Sequence, residues 1–168
     1  GYAVVDEGCT LNLQAGDELY FGNGACLWIY DGGTLIARGS ATRPVLFTSL
    51  RHDAQYDNLP DQWLYVWLSG GSQDNEIDWA VIENANCGLR VDTCVTAGYT
   101  LKVSNTIVRN HTLGGIVGQG SRIWGENLLV SNCGSATLLL QAGGDYTFVN
   151  STFADFWNYG GSNRRTTP

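Results

Sequence analysis

One short phrase recurs in the second half of the chain, and this recurrence restricts the fold more than any other feature. The phrase reads VIEN at 81–84, IVRN at 107–110, LVSN at 129–132 and, in a degenerate form, FADF at 153–156. The copies begin 26, 22 and 24 residues apart. A period of this length is typical of stacked structural repeats, in which each unit packs against its neighbours. The sequence therefore predicts a solenoid.

Short apolar alternations fill the region before residue 50. They lie at 11–13, 19–21, 27–29, 35–37 and 45–47. Each has the period-two pattern of a strand with one buried face. Glycines separate them at Gly16, Gly24, Gly32 and Gly39, and glycine tolerates the positive φ that a sharp corner requires. The pattern predicts alternating strands and corners, with three strands in each coil.

These alternations also carry a resemblance to a known family. The spaced residues are Leu11-x-Leu13-x-x-Gly16-x-x-Leu19-x-Phe21, followed by Gly24-x-x-Leu27-x-Ile29-x-x-Gly32. This pattern resembles the N-terminal coils of right-handed parallel β-helix repeat proteins and, more narrowly, those of Gram-negative bacterial surface lipoproteins. The resemblance implies an exported protein, extracellular or anchored at the outer membrane on the bacterial cell surface. It implies no particular activity, because this fold carries lyases, hydrolases, adhesins and scaffolds alike.

The fold class that we predict is all-β, a right-handed parallel β-helix with about 22–26 residues per coil. A length of 168 residues favours one domain, 1–168. Within it we expect N-terminal coils at 1–49, a loop insertion at 50–63, regular coils at 64–157 and a tail at 158–168. A long insertion on a solenoid is a common position for binding residues.

Composition excludes several classes of partner. The net charge is −7 and the nine Lys and Arg residues are scattered, so nucleic acid is not an expected partner. No apolar run approaches the ~18 residues of a transmembrane helix. The five cysteines contain no Cys-x-x-Cys pair, so neither a metal site nor a cofactor is predicted. The cysteines are either small buried side chains or include a Cys87–Cys94 disulfide.

Aligning the four copies on their Asn position predicts which side chains share a column. The residues three and seven positions earlier are apolar or small and are expected to face the core: Val81, Ile107, Leu129 and Phe153, then Ile77, Val103, Gly125 and Val149. Asn84, Asn110 and Asn132 are expected to form a ladder at a corner, because Asn accepts left-handed geometry and can bond to the coil above. A second corner is predicted at Trp79, Asn105, Asn127 and Ser151.

Candidate catalytic groups are carboxylates on the outer wall, because carbohydrate-active β-helix enzymes use such groups as acid and base or as calcium ligands. The alignment places Glu76, Lys102, Trp124 and Phe148 in one outward column, and Asp78, Ser104, Glu126 and Asn150 in the next. Asp78 and Glu126 would lie two coils apart, at about 9.6 Å, within reach of an inverting pair. Solvated charges on the wall explain the two carboxylates better, because no Lys or Arg lies beside them to act as a base.

Candidate binding residues fall into two groups. Outward aromatic rings, Trp67, Trp124 and Phe148, could stack against sugars or a protein partner. Three acids of the loop insertion, Asp53, Asp57 and Asp61, form the second group. These residues favour a noncatalytic surface scaffold or binding module for polysaccharide or a surface protein. The alternatives are a polysaccharide lyase or glycoside hydrolase, which should bring carboxylates or a carboxylate–cation set together in one groove, and a subunit of a larger cell-surface assembly.

Overall fold

The computed structural model describes residues 1–51, 53–93 and 97–155. In this part of the chain every regular element is a β-strand. The strands, in chain order, are β1 Tyr2–Val5, β2 Thr10–Gln14, β3 Glu18–Phe21, β4 Cys26–Ile29, β5 Thr34–Arg38, β6 Val45–Ser49, β7 Val66–Leu68, β8 Asn75–Asp78, β9 Ala80–Glu83, β10 Cys87–Val91, β11 Leu101–Ser104, β12 Ile107–His111, β13 Gly114–Gln119, β14 Arg122–Glu126, β15 Leu129–Cys133, β16 Ala136–Gln141, β17 Asp145–Val149 and β18 Thr152–Ala154.

Every third strand belongs to the same sheet, and all pairs between strands are parallel. The first sheet has the order β1-β4-β7-β10-β13-β16, the second β2-β5-β8-β11-β14-β17 and the third β3-β6-β9-β12-β15-β18. The chain is therefore a parallel β-solenoid of about six coils, and the fold class predicted from the repeat is confirmed. No helix in the described ranges is long and apolar enough to cross a membrane.

The core column of the third sheet is displaced by one residue from the prediction. Ile82, Val108 and Val130 have no exposed surface, whereas Leu129, which was expected to face inward, is 40% exposed. Val81 and Ile107 lie on the same outer side as Leu129. Glu83 and Arg109 are charged and lie on the outer face of their strands. Side chains two positions apart on a strand share a face, so Val81 and Ile107 also lie on the outer face. The other predicted core column is confirmed at Ile77 and Val103.

The last coil is one residue shorter than the alignment assumed. Phe148 pairs in register with Gly125, and Phe153 pairs with Val130, so both rings pack against the core. Gly125 explains the shift, because a Cβ at that position would lie 2.5 Å from Cδ1 of Phe148. The aromatic ring fills the space that this glycine leaves. The predicted outward placement of Phe148 is therefore wrong.

Residues with a left-handed backbone build both predicted corners, and all of them except Trp79 are asparagines. Asn84, Asn110 and Asn132 have φ of 66°, 60° and 55°. Asn110 Nδ2 donates to Asn84 Oδ1, and Asn132 Nδ2 donates to Asn110 Oδ1, both at 3.3 Å. At the second corner Asn127 donates to Asn105 at 2.7 Å. The last left-handed residue at this corner is Asn150 rather than the predicted Ser151. This difference reflects the one-residue shift of the last coil.

The insertion between β6 and β7 is held against the corner ladder. Asn84 Nδ2 donates to the backbone oxygen of Asp57 at 3.0 Å, and Asn86 Nδ2 donates to Asp61 at 2.8 Å. Trp63, which the sequence placed at the end of the loop, is buried in the core. Its ring stacks on Phe21 with centroids 4.4 Å apart. The loop is thus fixed at both its middle and its end.

Candidate functional site

The structure distributes the predicted site residues over three places and brings only some of them together. Trp124, Asp78 and Glu126 lie on the outer face of the second sheet. Trp67 lies on the first sheet. The predicted loop acids, Asp53, Asp57 and Asp61, lie in the connection between the third sheet and the first. Only the second-sheet face combines a predicted aromatic ring with predicted carboxylates.

Strand register determines which side chains adjoin on this face. Glu76, Lys102 and Trp124 follow one another on β8, β11 and β14, one residue per coil. In the neighbouring outward column Ser104 separates Asp78 from Glu126, as the alignment predicted. Columns perpendicular to the strands run along the solenoid axis, with a step of about 4.8 Å per coil.

Two recesses open along the first of these columns. One has a volume of about 280 Å³, and its lining comprises Asp74, Asn75, Glu76, Gly98, Tyr99 and Lys102. The other has a volume of about 270 Å³ and is lined by Tyr99, Lys102 and Trp124. Because Tyr99 and Lys102 line both, the recesses are adjoining parts of one surface feature, here named the axial groove.

Tyr99 is the groove residue that sequence reasoning missed. It precedes β11 and belongs to no repeat column, so the alignment has no position for it. In the structure the tyrosine ring lies 5.9 Å from Nζ of Lys102, and the side chain is half-buried. Trp124 is also half-buried. The groove thus presents two aromatic rings with an exposed ammonium group beside them.

Ion pairing holds Glu76 in its charged form. The Arg38 guanidinium donates from Nε to Oε1 at 2.9 Å and from Nη2 to Oε2 at 2.6 Å. Hydrogen bonding to Arg38 lowers the pKa of Glu76, and the attraction of Lys102 contributes further. A carboxylate stabilised in this way is a poor proton donor near neutral pH. Glu76 is therefore suited to accepting hydrogen bonds from a ligand.

Asp78 is committed to a hydrogen-bond network within the wall. Its Oδ1 accepts from Ser104 Oγ at 2.7 Å and from Asn105 Nδ2 at 2.8 Å. Asp74, by contrast, is exposed, and its carboxylate has no hydrogen-bond partner among the described residues. In the same ranges no three His, Cys, Asp or Glu side chains are arranged to hold a metal ion.

No known protein family, curated protein or solved structure matches this chain.

On the first sheet, Trp67 has both ring faces covered. Trp28 stacks on one face with centroids 4.7 Å apart and an interplanar angle of 6°, and the Arg90 guanidinium lies 4.8 Å from the ring centroid. The indole Nε1 donates to Asp92 at 2.6 Å. A sugar ring needs an open aromatic face, which Trp67 does not offer. The stacked pair is explained by packing between coils.

Two of the three predicted loop acids have side-chain partners of their own. Asp53 accepts from Arg51 at 3.2 Å, and the Arg51 guanidinium lies 3.4 Å from the Tyr56 ring centroid. Asp61 accepts from Asn86, as described above. The loop borders a cavity of about 600 Å³ whose lining includes Asp61 but neither Asp53 nor Asp57. These three acids therefore do not converge on one site.

The cysteine alternatives are partly resolved. Cys87 is a buried free thiol whose Sγ donates to the Leu89 oxygen at 3.5 Å. Burial raises the pKa of this thiol to about 12. The proposed disulfide partner, Cys94, lies outside the described residues. Cys87 is thus a small core side chain.

Proposed function

We propose that this protein is a noncatalytic glycan-binding module and that the axial groove is its binding site. The observation that carries the proposal is the convergence of Tyr99 and Trp124 on Lys102 in one groove, with the open carboxylate of Asp74 at the end away from Trp124. This combination suits a sugar, which has an apolar ring face and a rim of hydroxyl groups. The ring faces pack on the aromatic side chains, and the charged groups exchange hydrogen bonds with hydroxyls.

The rigidity of the scaffold supports the same function. Trp124 and Lys102 belong to strands that are paired on both sides, so their backbone is ordered before any ligand binds. A pre-organised site loses little conformational freedom on binding, which favours affinity without new contacts. The groove does bring Asp74 and Glu76 together with Lys102. Arg38 holds Glu76 in its ionised form, however, so Asp74 is the single carboxylate in the described part of the groove that is free for proton transfer. Binding without turnover is therefore the simpler function.

A glycan array followed by calorimetry tests the proposal. Trp124→Ala is expected to weaken binding of the best array glycan at least tenfold, equivalent to about 1.4 kcal/mol. Tyr30→Ala is the matched control, because Tyr30 is an exposed aromatic residue that directly follows β4 and does not line the groove. Its affinity should equal that of the unmodified protein. Binding that survives in Trp124→Ala, or an array without any bound glycan, would contradict the proposal.

A second candidate function is glycoside hydrolysis or lyase chemistry on the same face. Its supporting observation is the shared column of Asp78 and Glu126, two coils apart. At about 9.6 Å this spacing lies at the upper limit for an inverting pair. Incubation with array-positive polysaccharides and measurement of released reducing ends distinguishes the two functions. If the unmodified protein releases reducing ends and neither Asp78→Asn nor Glu126→Gln does, glycan cleavage would replace the noncatalytic proposal.

Display on a bacterial cell surface is part of the proposal, and the resemblance of the first coils to surface lipoproteins supports it.

A role as a binding module for a protein, or as a subunit of a surface assembly, is the remaining alternative. The supporting observation is that the inward residues of the first coil, Leu11, Leu13 and Leu19, are only partly buried. Light scattering coupled to size exclusion tests for self-association.

A further inference from the structure

We infer that the axial groove selects an uncharged glycan, which lies along the solenoid axis and contacts the groove through two consecutive sugar units. This inference rests on the proposed function and adds the charge, direction and length of the ligand. Three observations carry it: the order of side chains along the groove, the size of each recess, and the charges that surround it.

The direction follows from strand register. Glu76, Lys102 and Trp124 occupy successive coils in a single column, so the groove crosses the strands of the second sheet. From Glu76 to Trp124 there are two coil steps, which amount to about 9.6 Å. This distance is about the span of two linked pyranose rings. A chain lying along the strands would cross the column and contact only one of the recesses.

The length follows from the two recesses. Each has a volume of about 270–280 Å³, below the range of about 300–1,000 Å³ that is usual for a drug-sized ligand. One sugar ring per recess is therefore the natural occupancy. The recess at Trp124 offers mainly ring surface, and the recess at Asp74 offers carboxylates. Lys102 borders both, so its ammonium group is placed to bond near the linkage between the two units.

The charge preference follows from the groups around the groove. The outer face of the second sheet, together with the lining of the groove, carries five carboxylates and three cations. The carboxylates are Asp74, Glu76, Asp78, Glu126 and Asp145, and the cations are Arg38, Lys102 and Arg122. Arg38 is already paired with Glu76. A polyuronate or sulfated chain would lie within a Debye length of this excess negative charge and be repelled, and the net charge of −7 adds to the repulsion.

Calorimetry with defined oligosaccharides tests the inference. The probes are cello-, manno- and xylo-oligosaccharides of one to six units, and oligogalacturonates of matched length. At least one neutral series should bind, with a gain of tenfold or more from one unit to two and less than about threefold for each later unit. Oligogalacturonates should bind at least tenfold more weakly at 50 mM salt, and this difference should shrink at 500 mM salt.

A charge variant gives an independent readout. Glu126→Gln with Asp74→Asn should strengthen oligogalacturonate binding relative to the neutral series, while Trp124→Ala should remove the gain from the second sugar unit. Equal or tighter binding of oligogalacturonates by the unmodified protein, or affinity that rises steadily to six units, would overturn the inference and leave the proposed function intact. Absence of binding by every neutral and acidic probe would overturn the proposed function itself.

Discussion

At the residue scale, His111 has the most unusual environment among the described side chains. It has no exposed surface, and its Nδ1 accepts a hydrogen bond from the backbone amide of Ala85 at 3.2 Å. Burial lowers its pKa from 6.5 to about 3. The imidazole is therefore neutral in the folded protein at every pH above about 3, whereas in the unfolded chain it binds a proton below about 6.5.

This difference predicts acid sensitivity of the fold. Between pH 6.5 and pH 3 the unfolded chain holds the additional proton, so the free energy of unfolding falls as pH falls. The contribution of His111 should be about 2 kcal/mol between pH 7 and pH 5. Urea denaturation at several pH values measures it.

The control for this prediction is His111→Asn, whose side-chain oxygen can accept the same amide hydrogen bond but does not titrate. The variant should unfold with a shallower dependence on pH over this range, whatever its absolute stability. Identical pH slopes for the variant and the unmodified protein would show that His111 does not cause the sensitivity.

At the element scale, the corner ladder connects the coils and the loop insertion. Asn110 is central, because its amide donates to Asn84 and Asn58 and its Oδ1 accepts from Asn132. Only 3% of its surface is exposed. The buried amide of Asn110 bonds to polar groups that would otherwise lack partners. Leaving a buried polar group without a hydrogen bond costs about 1–3 kcal/mol.

We therefore expect Asn110→Gly to lower the free energy of unfolding by about 1–3 kcal/mol or more. Glycine keeps the left-handed backbone conformation, so the loss reports on the amide rather than on strain at φ of 60°. Asn150→Gly is the matched control, since Asn150 has φ of 51° but is exposed. Chemical denaturation measures both, and equal losses would mean that the ladder has no special role.

At the scale of the whole molecule, stability depends on stacking. A residue in a middle coil has core neighbours on both sides: Leu89 pairs in register with Val66 and with Ile116. Leu13 in the first coil pairs only with Ala37 among the described strands. In repeat architectures stability is approximately the sum of such nearest-neighbour interfaces.

Matched truncations test this dependence. Leu89→Ala should lower the free energy of unfolding by about 2–5 kcal/mol, because it leaves a cavity that is closed on all sides. Leu13→Ala should cost clearly less, since solvent already reaches that side chain. Denaturation of the two variants measures the difference, and hydrogen exchange should show slower exchange in the middle coils. Equal losses would contradict nearest-neighbour stacking.

Local patterns were sufficient to predict the coiled architecture. Period-two alternation and recurrent left-handed corners depend on neighbours in the chain, so the repeats at 81, 107 and 129 predicted both the solenoid and the Asn ladder. The same patterns failed where a contact between coils decided the outcome. Phe148 turned inward because Gly125, one coil away, left room for its ring.

The repeat alone determined that residues about two dozen apart adjoin, and it correctly placed Asp78 and Glu126 in one column. Only the tertiary structure decided which side chains are available for binding. In the folded chain Trp28 and Arg90 cover the two faces of the Trp67 ring. Tyr99, which lies outside the repeat, is placed beside Lys102. The column in which a residue lies follows from its spacing along the chain. Whether the face of its ring is open depends on which side chains of the adjacent coils pack against it.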